Sequence, residues 1–142
     1  MKVDSGLRVV VDTNVVFEGL TKRGSAAGLV IEAWLAGLLE VFVSTALAYE
    51  YTDVLSRKLS ATRWEQIRRV LGQLLSQSRF VAIHFSWRPI SPDPADDHVV
   101  DCAMNANATV ITSNIRHFAT ARESLGLQAI TPSETLLILD SR

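Results

Sequence analysis

The run Arg8-Val9-Val10-Val11, closed by the turn-forming Asp12-Thr13-Asn14, constrains this chain most. A short, continuous β-branched run with no polar alternation reads as a parallel strand buried on both faces, and such a strand needs helices above and below it. The segments that follow supply them. Ser25 to Leu38 carries apolar residues at helical spacing, and Val41-Phe42-Val43 is a second short strand closed by Ser44. Thr45 to Leu59 and Thr62 to Ser76 read as helices, the second with Ile67, Val70, Leu71, Leu74 and Leu75 on one stripe. Phe80 to Ile83 reads as a third strand. After the Ser91-Pro92-Asp93-Pro94 loop a helix runs to about Ala106, with Asp96 or a neighbour as its cap. Thr109 to Thr112 and Leu127 to Ile130 complete the strands, Asn114 to Ser124 forms a turn and short helix, and Ser133 to Asp140 a terminal helix. Strands alternating with helices in this order predict a three-layer α/β/α sandwich on a mostly parallel five-stranded sheet.

The 142 residues, 48% hydrophobic and 20% charged, suit one domain over residues 1–142 and exclude intrinsic disorder. With a single cysteine, Cys102, the chain has no disulfide framework, and a reducing cytoplasm suits it. Met1 to Gly6 lacks the apolar core of a signal peptide. Ala26 to Tyr49 is nearly long and apolar enough to cross a bilayer, but Glu32 and Glu40 would lie inside the span, so it reads as a buried helix followed by a buried strand, with no membrane partner. The net charge of −1 argues against the whole surface attracting nucleic acid, so local charge matters. Basic residues collect at Arg57, Lys58, Arg63, Arg68 and Arg69, and four acids fall between Asp93 and Asp101.

In open α/β sheets, ligands bind outside the carboxyl ends of the strands. Asp12 ends the first strand, and Thr112, Ser113 and Asn114 follow the fourth. Asp97 and Asp101, at i,i+4 spacing, would hold their carboxylates on one helix face, with Cβ atoms about 5–6 Å apart. No Lys or Arg lies between Arg88 and Arg116 to compensate them, which points to a hard divalent cation, Mg²⁺ or Mn²⁺, bound through oxygen. Glu50, amid Ala46, Leu47, Ala48 and Tyr49, is an acid in apolar company.

These residues, Asp12-Thr13-Asn14, Glu50, the Asp-Pro-Ala-Asp-Asp-His-Val-Val-Asp-Cys-Ala run and Thr112-Ser113-Asn114, together resemble a PIN domain, and the likeness to VapC-type toxins spans roughly Val9 to Leu139. The resemblance implies a metal-dependent endoribonuclease that hydrolyses RNA phosphodiesters, tRNA being one candidate. It also implies a cognate antitoxin and a homodimer. Carried over by position, Asp12, Glu50 and Asp97 match the catalytic and metal-binding acids, and Asp101 matches a less uniform acidic position. Asn14, Thr112 and Ser113 stand in support, while Asn114 occupies a place where many relatives have a fourth Asp. Arg57, Lys58, Arg63, Arg68, Arg69 and Arg116 are the candidate RNA contacts, with Lys22 and Arg23 as further ones.

Plainer alternatives stand beside each assignment. Asp12-Thr13-Asn14 also suits a strand-to-helix turn, Glu50 an exposed helix position, and Arg57 to Arg69 a solvated corner. His98 and His117 carry no metal spacing of their own, and Cys102 suits a buried position. Asn114 leaves open a catalytically weakened RNA- or protein-binding module. A phosphotransfer domain shares the Asp after the first strand, but here Asn14 stands where one such pattern wants a second Asp, and no Lys follows Lys58.

Overall fold

The computed structural model describes residues 6–141; Met1 to Ser5, most of the stretch searched for a signal peptide, lie outside the described residues. The order is β1 (Leu7–Val11), α1 (Thr13–Thr21), α2 (Ala26–Leu35), β2 (Leu39–Val43), α3 (Thr45–Lys58), α4 (Ala61–Ser76), β3 (Arg79–Phe80), α5 (Pro94–Ala106), β4 (Thr109–Ile111), a 3₁₀ turn (Ile115–Phe118), α6 (Ala119–Leu125), β5 (Ala129–Ile130) and α7 (Pro132–Asp140). All strands are parallel in the order β3-β2-β1-β4-β5. Val9, Val10 and Val11 are fully buried at the centre, where Val9 lies opposite Val41 on one side and Thr109 on the other. From β1 the chain builds outward through β2 and β3, then returns to β1's other side with β4. Between β1 and β4 the order of winding reverses, so a crevice opens at their carboxyl ends.

Side-chain caps fix where several helices start. The hydroxyls of Ser25, Ser44 and Ser60 accept from the backbone N–H groups of Gly28, Leu47 and Arg63. A β-carbon at Gly28 would run into the carbonyls of Lys22 and Arg23, so glycine permits the tight corner between α1 and α2. The apolar stretch from Ala26 to Tyr49 becomes α2, β2 and the start of α3, with Trp34 and Val43 in the core. Among the described residues no helix is long and apolar enough to cross a membrane.

The architecture is the sequence expectation with four local differences. Helix α1 was absent from it, because the Asp12-Thr13-Asn14 turn signal masks a nine-residue helix that starts immediately, and Lys22 and Arg23 follow this helix rather than the strand. Helix α2 stops at Leu35, and the left-handed Gly37 (φ 78°) turns the chain into β2. β3 shrinks to Arg79–Phe80: Val81 N–H still donates to Val43 O, but beyond it the Asn105 side chain bonds His84 N–H, Phe85 N–H and Phe85 O. That draws the segment off the sheet edge and onto α5. The cap of α5 is Asp93, which accepts from Ala95 N–H, and not Asp96.

Candidate active site

Asp12 is the first residue beyond β1 and caps α1, so strand and helix both point it at the crevice. It is almost wholly buried, and its Oδ2 accepts from Thr112 Oγ1 at 2.8 Å. Thr112 in turn accepts from Asn114 N–H at 2.9 Å, so β4 and the turn after it brace Asp12 through a buried hydroxyl. Burial pushes the Asp12 carboxyl above its ordinary value, partly offset by the Thr112 bond, the first amides of α1 and His117.

Across the crevice, α3 presents Glu50, Val54, Arg57 and Lys58, at i, i+4, i+7 and i+8, to a cavity of about 260 Å³. Asp12, Thr13 and Asn14 form another wall. Asp93, Ala95 and Asp96 from the start of α5 form the third. Asp96 is 7% exposed, and its Oδ2 lies 3.1 Å from His117 Nδ1. Burial first, then the charge of Asp12, push the Asp96 carboxyl up to about 6 despite the His117 bond. The charge of Asp12 thus opposes ionisation of Asp96 in the cavity they share, with Glu50 half-buried beside them.

Of the sequence-expected acids, Asp12 and Glu50 meet here; Asp97 and Asp101 do not line the cavity. The Oδ1 of Asp97 accepts from Ile90 N–H, Ser91 N–H and Ser91 Oγ at 2.8–3.2 Å. Asp101 accepts from Ser86 Oγ and Trp87 N–H and pairs with Arg88 at 2.7 Å. Successive helix residues are turned 100° apart, so when Asp96 faces β1, Asp97 faces the 84–91 segment. The i,i+4 pair is therefore compensated by loop donors and Arg88. Ser113 and Asn114 are exposed outside the cavity; Asn114 acts through its backbone N–H, and Asn14 lies on the cavity wall.

The basic residues separate as well. Arg57 and Lys58 line the acidic cavity, Arg57 paired with Asp53 at 3.0 Å and the Lys58 ammonium 5.1 Å over the Phe17 ring. Arg63 and Arg23 line a different cleft of about 390 Å³ beside α1, α2 and α4. Arg68 pairs with Glu65, and Lys22, Arg69 and Arg116 are exposed outside the acidic cavity. Sequence reasoning read Asp96 as a helix cap and gave His117 no role, and the structure brings both to the acidic cavity or its edge. Asp96 falls three and four residues before Val99 and Val100, in phase with the core-facing stripe, and that phase could have found it; His117 carried no such signal.

Carboxylates are hard oxygen donors, the chemistry that suits Mg²⁺ or Mn²⁺, and a divalent cation would relieve the cost of burying Asp12 and Asp96 and the opposition of Asp12 to the charge of Asp96. As the side chains stand, no three His, Cys, Asp or Glu among the described residues converge closely enough to hold an ion.

A family model described as "PIN domain" matches residues 8–116. No curated protein matches the sequence. Among solved structures, the fold is similar to DNA-bound VapBC from Salmonella typhimurium, at 14% identity and TM-score 0.64 over 89% of this chain and 98% of that one. It is also similar to VapBC2 from Rickettsia felis bound to a DNA fragment from their promoter, at 16% identity and TM-score 0.63 over 88% of this chain and 98% of that one. PAE2754 from Pyrobaculum aerophilum matches at 13% identity and TM-score 0.59 over 98% of this chain and 94% of that one. At such identities the likeness to solved structures is one of fold.

Proposed function

Because this chain belongs to the PIN domain family, we propose that it is a metal-dependent endoribonuclease, the toxin of a toxin–antitoxin pair working in the cytoplasm. The observation that carries the reading is the placing of Asp12, Glu50 and Asp96 around one cavity at the β1/β4 switch point, the two aspartates raised by burial and Asp96 also by the charge of Asp12. Those three carboxylates would hold Mg²⁺ or Mn²⁺, with Asp96 in the role expected of Asp97. When bound, such an ion supplies a water acidified for in-line attack on phosphorus and offsets the charge that builds on the leaving oxygen.

The chain's own groups do the rest. Thr112 fixes the Oδ2 of Asp12 and His117 that of Asp96, so neither carboxylate turns away from the cavity. Arg57 and Lys58 bring cationic charge to the cavity's α3 wall, where they hold RNA phosphates beside the acids. The fold shared with VapBC assemblies supports a protein antitoxin as partner, and pairing of two copies belongs to the same proposal.

A second reading, a catalytically weakened binding module, is favoured by one observation, the lack of three converged ligands. One experiment separates the two: cleavage of total RNA and a tRNA set with Mn²⁺, Mg²⁺ or EDTA by wild type, Asp12→Asn, Asp96→Asn and Asp97→Asn. The nuclease reading expects metal-dependent cleavage, lost in the first two variants and kept in folded Asp97→Asn. RNA bound without turnover in every metal favours the module.

A further inference from the structure

Helix α7 contains the run Leu136-Leu137-Ile138-Leu139, in which Leu136 and Leu139 pack half-buried against the core, Ile138 is half-buried and Leu137 stands exposed. A helix segment with so little polar relief belongs in an interior. Between α7 and α2 lies a groove of about 840 Å³, the largest of the cavities described. Leu137 (70% exposed), Leu29 (43%) and Leu38 (55%) line it, and together they are three of the seven large hydrophobic residues exposed among those described. Apolar surface concentrated in this way marks a docking site.

Charge decides what docks there. The charged side chains lining the groove are Glu32 and Asp140, both acidic, and among the described residues neither forms an ion pair. Two-fold pairing of the groove with itself would bring two sets of these acids into one interface with no cation among its described lining residues. We propose that the groove seats an amphipathic helix of a different protein, with leucine-like side chains pointing down and Lys or Arg flanking Glu32 and Asp140. The nine-residue α7 is about 13 Å long, so about three turns of partner helix cover it. The groove shares no lining residue with the acidic cavity, so the inference stands whether or not the chain cleaves RNA.

The test uses two labelled peptides of about 16 residues, long enough to form helix, both with Leu at i, i+3, i+4 and i+7. One carries Lys at the flanking positions and the other Glu, and fluorescence anisotropy measures their binding to the full chain. The Lys peptide is expected to bind roughly tenfold tighter or more than the Glu peptide. Leu137→Asp, or Leu29→Gln should that variant not fold, is expected to weaken binding by at least the same roughly tenfold factor. Glu32→Lys with Asp140→Lys is expected to invert the preference. Equal affinities, or a preference that survives charge reversal, overturn the proposal. So does sedimentation showing that Leu137→Asp turns a wild-type dimer into a monomer, since the occupant would then be a second copy.

Discussion

Removing the charge of Asp96 should strengthen the metal-free fold while removing its response to metal. Asp96 is 7% exposed, and its carboxyl is raised from 3.8 to about 6, first by burial and then by Asp12. That rise corresponds to about 3 kcal/mol against the ionised form in the folded chain. The folded chain keeps this proton to higher pH than the unfolded chain does. Stability without metal therefore falls as pH rises from 3.8 to about 6, and the full penalty stands at pH 7. Asp96→Asn removes it at nearly constant shape and gives up at most the His117 bond, about 1 kcal/mol. The net gain is about 2 kcal/mol, or about 4–8 °C in Tm for a chain of this size. Thermal melts in EDTA read this directly, and the advantage should vanish below about pH 3.8, where Asp96 is protonated in both folded and unfolded chains. With Mn²⁺ at about 100 times its Kd the order reverses, because wild type gains about 2.7 kcal/mol that the variant lacks. A variant less stable than wild type at pH 7 in EDTA, or an advantage unchanged in acid, refutes the account of the cavity.

The other acids of α5 should behave oppositely. Asp97→Ala leaves three donors of the 90–91 loop without their acceptor and is expected to lower stability by about 2–3 kcal/mol, while the Mn²⁺-induced shift in Tm stays at its wild-type size; loss of that shift would return Asp97 to the metal site. Arg88→Met strips the cation from the buried Asp101 and should cost about 2–3 kcal/mol, whereas Arg88→Met with Asp101→Asn should cost less than the sum of the single changes; strict additivity in a denaturant-melt cycle refutes the pairing. Lys58→Gln, in the Asp12→Asn background expected to bind without cleaving, should lower the salt slope of single-stranded RNA binding by about 0.7, one phosphate contact; an unchanged slope removes Lys58 from the RNA path.

Legibility in the sequence followed the scale on which each signal acts. The Val9-Val10-Val11 run forced a buried parallel strand, and the parallel five-stranded sheet with every helix but α1 was recovered from that demand. That Asp12 faces the crevice was legible because a strand end fixes its direction, and Glu50 lines the same cavity from α3. The edge was less so: Phe80 to Ile83 has strand chemistry, but a strand needs a partner backbone, and the Asn105 side chain competes successfully for the amides of His84 and Phe85. Helix α1 was hidden because its first turn is made of residues that equally favour a turn.

The acids of α5 show where local reasoning stops. Four aspartates lie within nine residues and serve three uses: Asp93 caps the helix, Asp96 faces Asp12, and Asp97 and Asp101 hold the 84–91 segment. The i,i+4 spacing of Asp97 and Asp101 does place both on one face, and their repulsion does need compensation. The compensation arrives from backbone N–H groups and from Arg88, on a segment earlier in the chain whose position depends on β3 leaving the sheet. Spacing along a helix reveals which carboxylates share a face. Which partner that face meets is set by tertiary structure, and a one-residue step, 100° of helix, separates Asp97, which anchors the 90–91 loop, from Asp96, which lines the cavity. Asp96 continues the stripe of Val99, Val100 and Ala103 that packs toward the sheet, and a carboxylate placed on that stripe is driven into the crevice beside Asp12.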